Sequence, residues 1–163
     1  MATLLFDLLT PREEAADRLT AGQRFNIDLL ARRVIAATQW AREQPALKRL
    51  AIGYFGASTG AAAALVAAAA LPDEVSAIVS RGGRPDLAGE RLRDVRAPTL
   101  LIVGGEDQVV IGLNRKASAM MDVERELAIV PGATHLFEEA GALETVARLS
   151  RAWFNRHLNE TRH

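Results

Sequence analysis

Three residues of this chain stand where acyl-transfer chemistry would need them. Ser58 lies in Gly56-Ala57-Ser58-Thr59-Gly60, a G-x-S-x-G pattern with an apolar run before it and an alanine-rich stretch after it. Between a strand and a helix, that pattern projects a serine hydroxyl from a sharp, strained turn at a sheet edge. The glycines on either side leave only hydrogens where side chains would meet the adjoining strand and helix. The helix start then offers free N–H groups and a positive dipole end to a developing oxyanion, with the N–H of Thr59 as the first donor. Asp107 ends the run Leu100-Leu-Ile-Val-Gly-Gly-Glu-Asp107. A carboxylate there can accept the Nδ1–H of a histidine and fix its tautomer, and it is preferred to Glu106. His135 follows the apolar run that closes at Val130, within Val130-Pro-Gly-Ala-Thr-His135. His157 falls in the last helical pattern and His163 ends the chain, so both read as surface positions. Each feature alone has a plainer reading: a tight turn, a cap for a helix beginning near Gly112, a bystander histidine. Their order, serine then acid then histidine, each at the C-end of its own strand, favours the triad.

The elements that must position these residues alternate along the chain. Short, nearly continuous apolar runs at Thr3–Asp7, Leu50–Phe55, Val75–Ser80, Thr99–Val103 and Glu126–Val130 predict strands covered on both faces. Helical periodicity joins them: Ile27, Leu30, Val34 and Ala37 repeat at three and four, and Gly60–Ala70, Gly112–Met121 and Leu143–Leu158 follow. Strand–helix alternation predicts an α/β domain, a mostly parallel sheet of about five strands with helices on both faces. No repeat, linker or boundary divides residues 1–163, which read as one domain. The segment Arg81–Arg96, broken by Gly82, Gly83, Pro85 and Gly89, predicts a loop with a short helix at the sheet edge that carries the other strand C-termini.

Composition removes several function classes. Apolar residues at 49% and charged residues at 25% are the balance of a soluble globular protein. Basic and acidic side chains number 20 each, so no net field draws the chain to nucleic acid or an acidic membrane surface. There is no cysteine, hence no disulfide, thiolate metal site or cysteine nucleophile. One loop histidine with scattered acids makes no metal-ligand set, and no cofactor is expected. The apolar stretch Ala61–Leu71 is shorter than the roughly 20 residues of a membrane span, and the N-terminus lacks a basic signal region. A cytoplasmic location is the expectation.

These motifs resemble the dienelactone-hydrolase-like branch of bacterial α/β-hydrolases. The likeness rests on Ala2-Thr-Leu-Leu-Phe-Asp-Leu-Leu-Thr10, Gly56-Ala-Ser-Thr-Gly60, Ser80-Arg-Gly-Gly-Arg-Pro-Asp86, Gly104-Gly-Glu-Asp107 and Pro131-Gly-Ala-Thr-His-Leu-Phe137. It implies Ser58 as nucleophile, Asp107 as acid and His135 as base, in a reduced α/β-hydrolase fold. Dienelactone hydrolases themselves use cysteine as nucleophile; serine here points to a small carboxylic ester as substrate. Members of the family begin with three further strands, and a His-Gly-rich loop after the third supplies the second oxyanion donor. Met1 here stands just before what matches the fourth strand. The resemblance therefore implies that Thr3–Asp7 pairs directly with Leu50–Phe55 across an Ile27–Trp40 crossover, and that an altered sheet edge favours a homodimer. It also leaves Leu8 or Leu9 to supply the missing N–H. Arg81 and Arg84 could hold an anionic group of the substrate, or could pair with Asp86 or Glu90. The expected activity is serine esterase. A thioesterase or lactone hydrolase with the same triad, and a non-catalytic truncated chain serving as a structural or binding module, are the alternatives.

Overall fold

The computed structural model describes residues 2–158. Four strands, β1 (Ile52–Ala57), β2 (Val75–Arg81), β3 (Thr99–Gly104) and β4 (Arg125–Val130), form one parallel sheet in the order in which they occur. Five helices surround them: α1 (Pro11–Thr20), α2 (Ile27–Glu43), α3 (Thr59–Ala70), α4 (Gln108–Met120) and α5 (Ala142–His157). A 3-10 segment, Pro85–Asp94, follows β2 and is interrupted at Gly89.

Alternate residues of each strand face opposite layers, and each layer has its own core. On one side Tyr54 and Ile78 meet α3, with α2, the 3-10 segment and the end of α4 packed around it. On the other, Ala77, Val79, Leu100 and Ile102 meet Val146 and Trp153 of α5. Helix α3 is buried at every position from Ala61 to Ala68. Side chains no larger than methyl over most of that stretch let its backbone lie close to sheet and neighbours at once.

The expected strand at Thr3–Asp7 does not form: the sheet has four strands among the described residues, and β1 keeps an unpaired edge. Leu4, Leu5 and Phe6 are exposed, Leu5 at 93%. Apolarity alone does not make a strand, because its backbone groups need a neighbour's ladder. The chain is anchored one step later instead. Arg33 of α2 donates to the Leu8 carbonyl and grips both Glu13 oxygens at 2.7 and 2.6 Å.

Helix α1, to which the sequence reading assigned nothing, starts at that anchor. Thr10 Oγ1 accepts from the Glu13 N–H at 3.3 Å, while Glu13 accepts from the Thr10 N–H at 2.8 Å, with Pro11 in the first turn. This reciprocal capping box leaves a Thr-Pro-x-Glu signature in the sequence. The Arg33 guanidinium, with the two Thr10 bonds, holds the Glu13 carboxyl down from 4.5 to about 2. A depressed carboxylate contributes stability above its ordinary value, and the contribution is lost as pH falls through the folded value. The urea midpoints of wild type and Glu13→Gln should therefore differ most above pH 4.5, with wild type the more stable, and converge towards pH 2. A gap independent of pH would remove the ion pair from this account.

Candidate active site

The strand-to-helix turn after β1 is built around strain at one residue. Ser58 has φ 50° and ψ −123°, a left-handed conformation that serine rarely adopts. Its neighbours hold it there. The Ser58 N–H donates to the Arg81 carbonyl at 3.4 Å, and its own carbonyl accepts from the Arg84 N–H at 3.1 Å. Thr59 opens α3, so its N–H has no carbonyl of the same helix behind it and is free for a ligand.

The two motif glycines are not equivalent, which corrects the expectation that both are forced by crowding. A Cβ on Gly56 would stand 2.6 Å from the Gly60 carbonyl oxygen and 2.7 Å from the Ala61 backbone. A Cβ on Gly60 would meet only Leu8 Cδ1, at 3.7 Å. Gly56→Ala should therefore cost about 1–3 kcal/mol of overpacking, read from the urea midpoint, while Gly60→Ala folds as well as wild type. Equal midpoints for the two variants would refute the distinction.

Asp107 serves two partners at once. It is the N-cap of α4, where Oδ1 accepts from the Val110 N–H at 3.4 Å, and Oδ2 lies 2.7 Å from His135 Nδ1. The helix-capping alternative and the histidine-orienting role are thus both met by one carboxylate, and the helix it caps begins at Gln108 rather than near Gly112. His135 sits in a loop seated on the end of β3. Gly105 N–H donates to Val130, and Glu106 N–H to Ala133, at 2.8 and 3.0 Å. A Cβ on Gly104 would lie 2.4 Å from the Ala133 oxygen, so the loop approaches only because that residue is glycine. Phe137, fully buried at φ 59°, anchors the far side. The sequence motif Pro131–Phe137 includes this residue, but its role as the buried anchor of the loop shows only in the structure.

Ser58 and His135 meet through the loop Arg81–Arg84 rather than by a direct hydrogen bond. Among the described residues Ser58 Oγ has no hydrogen-bond partner. Gly82, at φ 51°, lies against the histidine loop; a Cβ there would be 3.1 Å from the His135 oxygen and 3.6 Å from its Cε1. Unliganded sites commonly hold such contacts long, tightening them around substrate. The triad candidates thus converge on one loop.

Of the two arginines proposed for an anion, Arg84 is occupied: its guanidinium forks onto Asp86 at 2.9 and 2.8 Å. Arg81 lies over the Phe137 ring at 5.6 Å and reaches the Leu136 carbonyl at 3.5 Å. No carboxylate among the described residues pairs with it. Leu8, the proposed second donor, packs beside the start of α3, and Leu9 follows it; both are half-buried. His157 is nearly buried against Trp153 and stands 3.8 Å from Glu124, not at a free surface; His163 lies outside the described residues.

A parallel sheet with helices on both faces, a strained serine after one strand, and an acid and histidine after two later strands define an α/β-hydrolase. Within that class the chain belongs to the dienelactone hydrolase family, whose profile matches residues 7–158. It is similar to a dienelactone hydrolase of Anabaena variabilis: 54% identity, TM-score 0.90, covering 94% of this chain and 71% of that one. A monoacylglycerol lipase of Paleococcus ferrophilus shares the fold at 15% identity and TM-score 0.67, over 80% of this chain and 76% of its own. In Mycobacterium tuberculosis, strain H37Rv, a protein carrying the provisional name phosphoribosyl transferase is 59% identical over 157 residues, 96% of this chain. The chain spans 34%, about a third, of that relative's length. No helix among the described residues is long and apolar enough to cross a membrane.

Proposed function

We propose that the chain hydrolyses small carboxylic esters through an acyl-enzyme on Ser58. The observation that carries this reading is the Ser58 backbone, held at φ 50° and ψ −123° in the turn between β1 and α3, the strained position that exposes a nucleophile in this fold. His135 takes the hydroxyl proton as Ser58 attacks the carbonyl carbon, and Asp107 stabilises the resulting imidazolium. The C–O bond to the alcohol breaks as His135 returns the proton to the leaving oxygen. Water, deprotonated by His135, then releases the acid and restores the serine. Thr59 N–H faces the oxyanion, and Leu8 or Leu9 N–H supplies the second donor from the corner that Arg33 fixes.

Identity of 54% to the Anabaena dienelactone hydrolase favours a lactone as the second reading. A lactone is an ester whose leaving alcohol stays tethered, so the same steps apply. Arg81, which has no acid of its own, is the group available to an anionic substituent. The transferase name belongs to relatives of which this chain matches a third, and acyl transfer is the chemistry we assign.

The test is to incubate the protein with a fluorophosphonate and locate the adduct by mass spectrometry, alongside turnover of p-nitrophenyl acetate and butyrate and of a γ-lactone. An adduct on Ser58 with ester turnover supports the reading. Turnover of the lactone alone selects the second reading. A folded protein that neither labels nor turns over leaves the structural or binding module.

A further inference from the structure

We infer that Asn114 is a positioning residue that holds the loop behind the nucleophile; this rests on the reading of Ser58 as nucleophile. Asn114 lies two turns along α4 from Asp107 and is completely buried. Its Nδ2 donates to the Val110 carbonyl of its own helix at 2.8 Å and to the Gly83 carbonyl at 3.0 Å. Both partners are acceptors only, which fixes the orientation of the amide. Gly83 precedes Arg84, whose N–H holds the Ser58 carbonyl at 3.1 Å. The connection from Asn114 to the nucleophile's own peptide is thus one hydrogen bond, one residue and one further hydrogen bond.

Two observations separate this from ordinary core packing. The first is the polar cost. Asn114 Oδ1 has no partner, nor has the buried Ser80 Oγ on the other side of the same loop. A half-satisfied buried amide is expensive where Leu would pack, and on α4 its neighbours Val110, Ile111 and Ala117 on the buried face are apolar. What the amide does is bind Gly83. The second is the tightness of that loop. A Cβ on Gly83 would lie 2.0 Å from Ser80 Oγ and 2.6 Å from Ala61 Cβ, so the loop is pressed onto β2 and α3 with Asn114 closing the third side. One helix therefore fixes both halves of the site: its N-cap, Asp107, orients His135, and Asn114 in its second turn sets the loop that holds the Ser58 carbonyl.

The experiment compares Asn114→Leu with wild type and with Thr38→Val. The latter removes the Thr38–Tyr54 hydrogen bond of 2.6 Å, equally buried but between α2 and β1 and making no contact with the loop. Turnover of p-nitrophenyl acetate and the rate of fluorophosphonate labelling are measured per folded molecule. Asn114→Leu should lower kcat and the labelling rate on the order of 10- to 100-fold, the size of effect that misplacement by about an ångström produces. KM should stay within about twofold, and Thr38→Val should lose stability with kcat unchanged. If Asn114→Leu folds poorly, Asn114→Ala removes the same donor without added bulk and is read below its own transition. Wild-type kcat in either Asn114 variant, or an equal loss in Thr38→Val, overturns the inference. Failure of wild type itself to label at Ser58 overturns the underlying reading instead.

Discussion

Ser58→Ala should abolish ester turnover and leave the protein folded. Loss of the attacking oxygen removes the covalent route, and in a well-studied serine protease this costs about a million-fold in kcat. The backbone makes the control unusually clean. Alanine carries the same Cβ as serine into φ 50°, so strain and fold are unchanged and only the hydroxyl is lost. Ser58→Gly extends the argument, because glycine adopts that conformation without penalty. It should be equally inactive yet melt at the same or a higher temperature than wild type. Measured together, turnover and melting separate the chemistry of the residue from its conformation. Residual activity in Ser58→Ala above the uncatalysed rate would mean that another group attacks.

Asp107→Asn should lower kcat roughly ten-thousand-fold, as the corresponding change does in a serine protease. The two hydrogen bonds of this carboxylate explain why asparagine cannot stand in. Oδ1 accepts from Val110 and Oδ2 faces His135, so both contacts need an acceptor. Asparagine has one acceptor oxygen. If that oxygen caps α4, the amide NH2 meets His135 Nδ1 and forces the proton onto Nε2, where it can no longer receive one from Ser58. If the oxygen faces His135 instead, the cap is lost, at about 1 kcal/mol. Steady-state kinetics with the urea midpoint tells these apart: the full loss of kcat at wild-type stability is the first arrangement, a smaller loss of kcat with lower stability the second. Activity within tenfold of wild type at full stability would remove Asp107 from the mechanism.

The candidate site was legible in the sequence because its parts are local. Gly56-Ala-Ser-Thr-Gly60, Gly104-Gly-Glu-Asp107 and the His135 loop each announce a strand end, and their order along the chain carries the rest. What escaped depends on partners distant in sequence. Thr3–Asp7 has strand composition, but no residue in it records whether a neighbour's ladder is available. Asn114 reads as one polar residue on a helix until Gly83, 31 positions earlier, is brought beside it. Arg33 likewise gains meaning only from Glu13, 20 positions earlier, and the Leu8 carbonyl. Gly60 shows the opposite error, since a motif position reads as sterically forced until the space around it is measured. Thr10-Pro-Arg-Glu13 is legible as a helix start from local chemistry alone, although the apolar run before it has the composition of a strand.

The strand order has a consequence for how activity arises during folding. Each strand adds beside the one before it, β1 through β4, so early contacts are the shorter-range ones that form quickly. The groups proposed to react are spread across that sequence of additions. Ser58 follows the first strand, Asp107 the third and His135 the last, on opposite margins of the sheet. A nascent chain can thus bury α3 and strain the serine while still chemically silent. On the proposed mechanism, hydrolysis begins only when residues 131–137 have seated on the end of β3. Catalytic turnover is therefore a late reporter of assembly: it counts molecules in which the whole sheet has closed, and it is blind to every partly folded species before them.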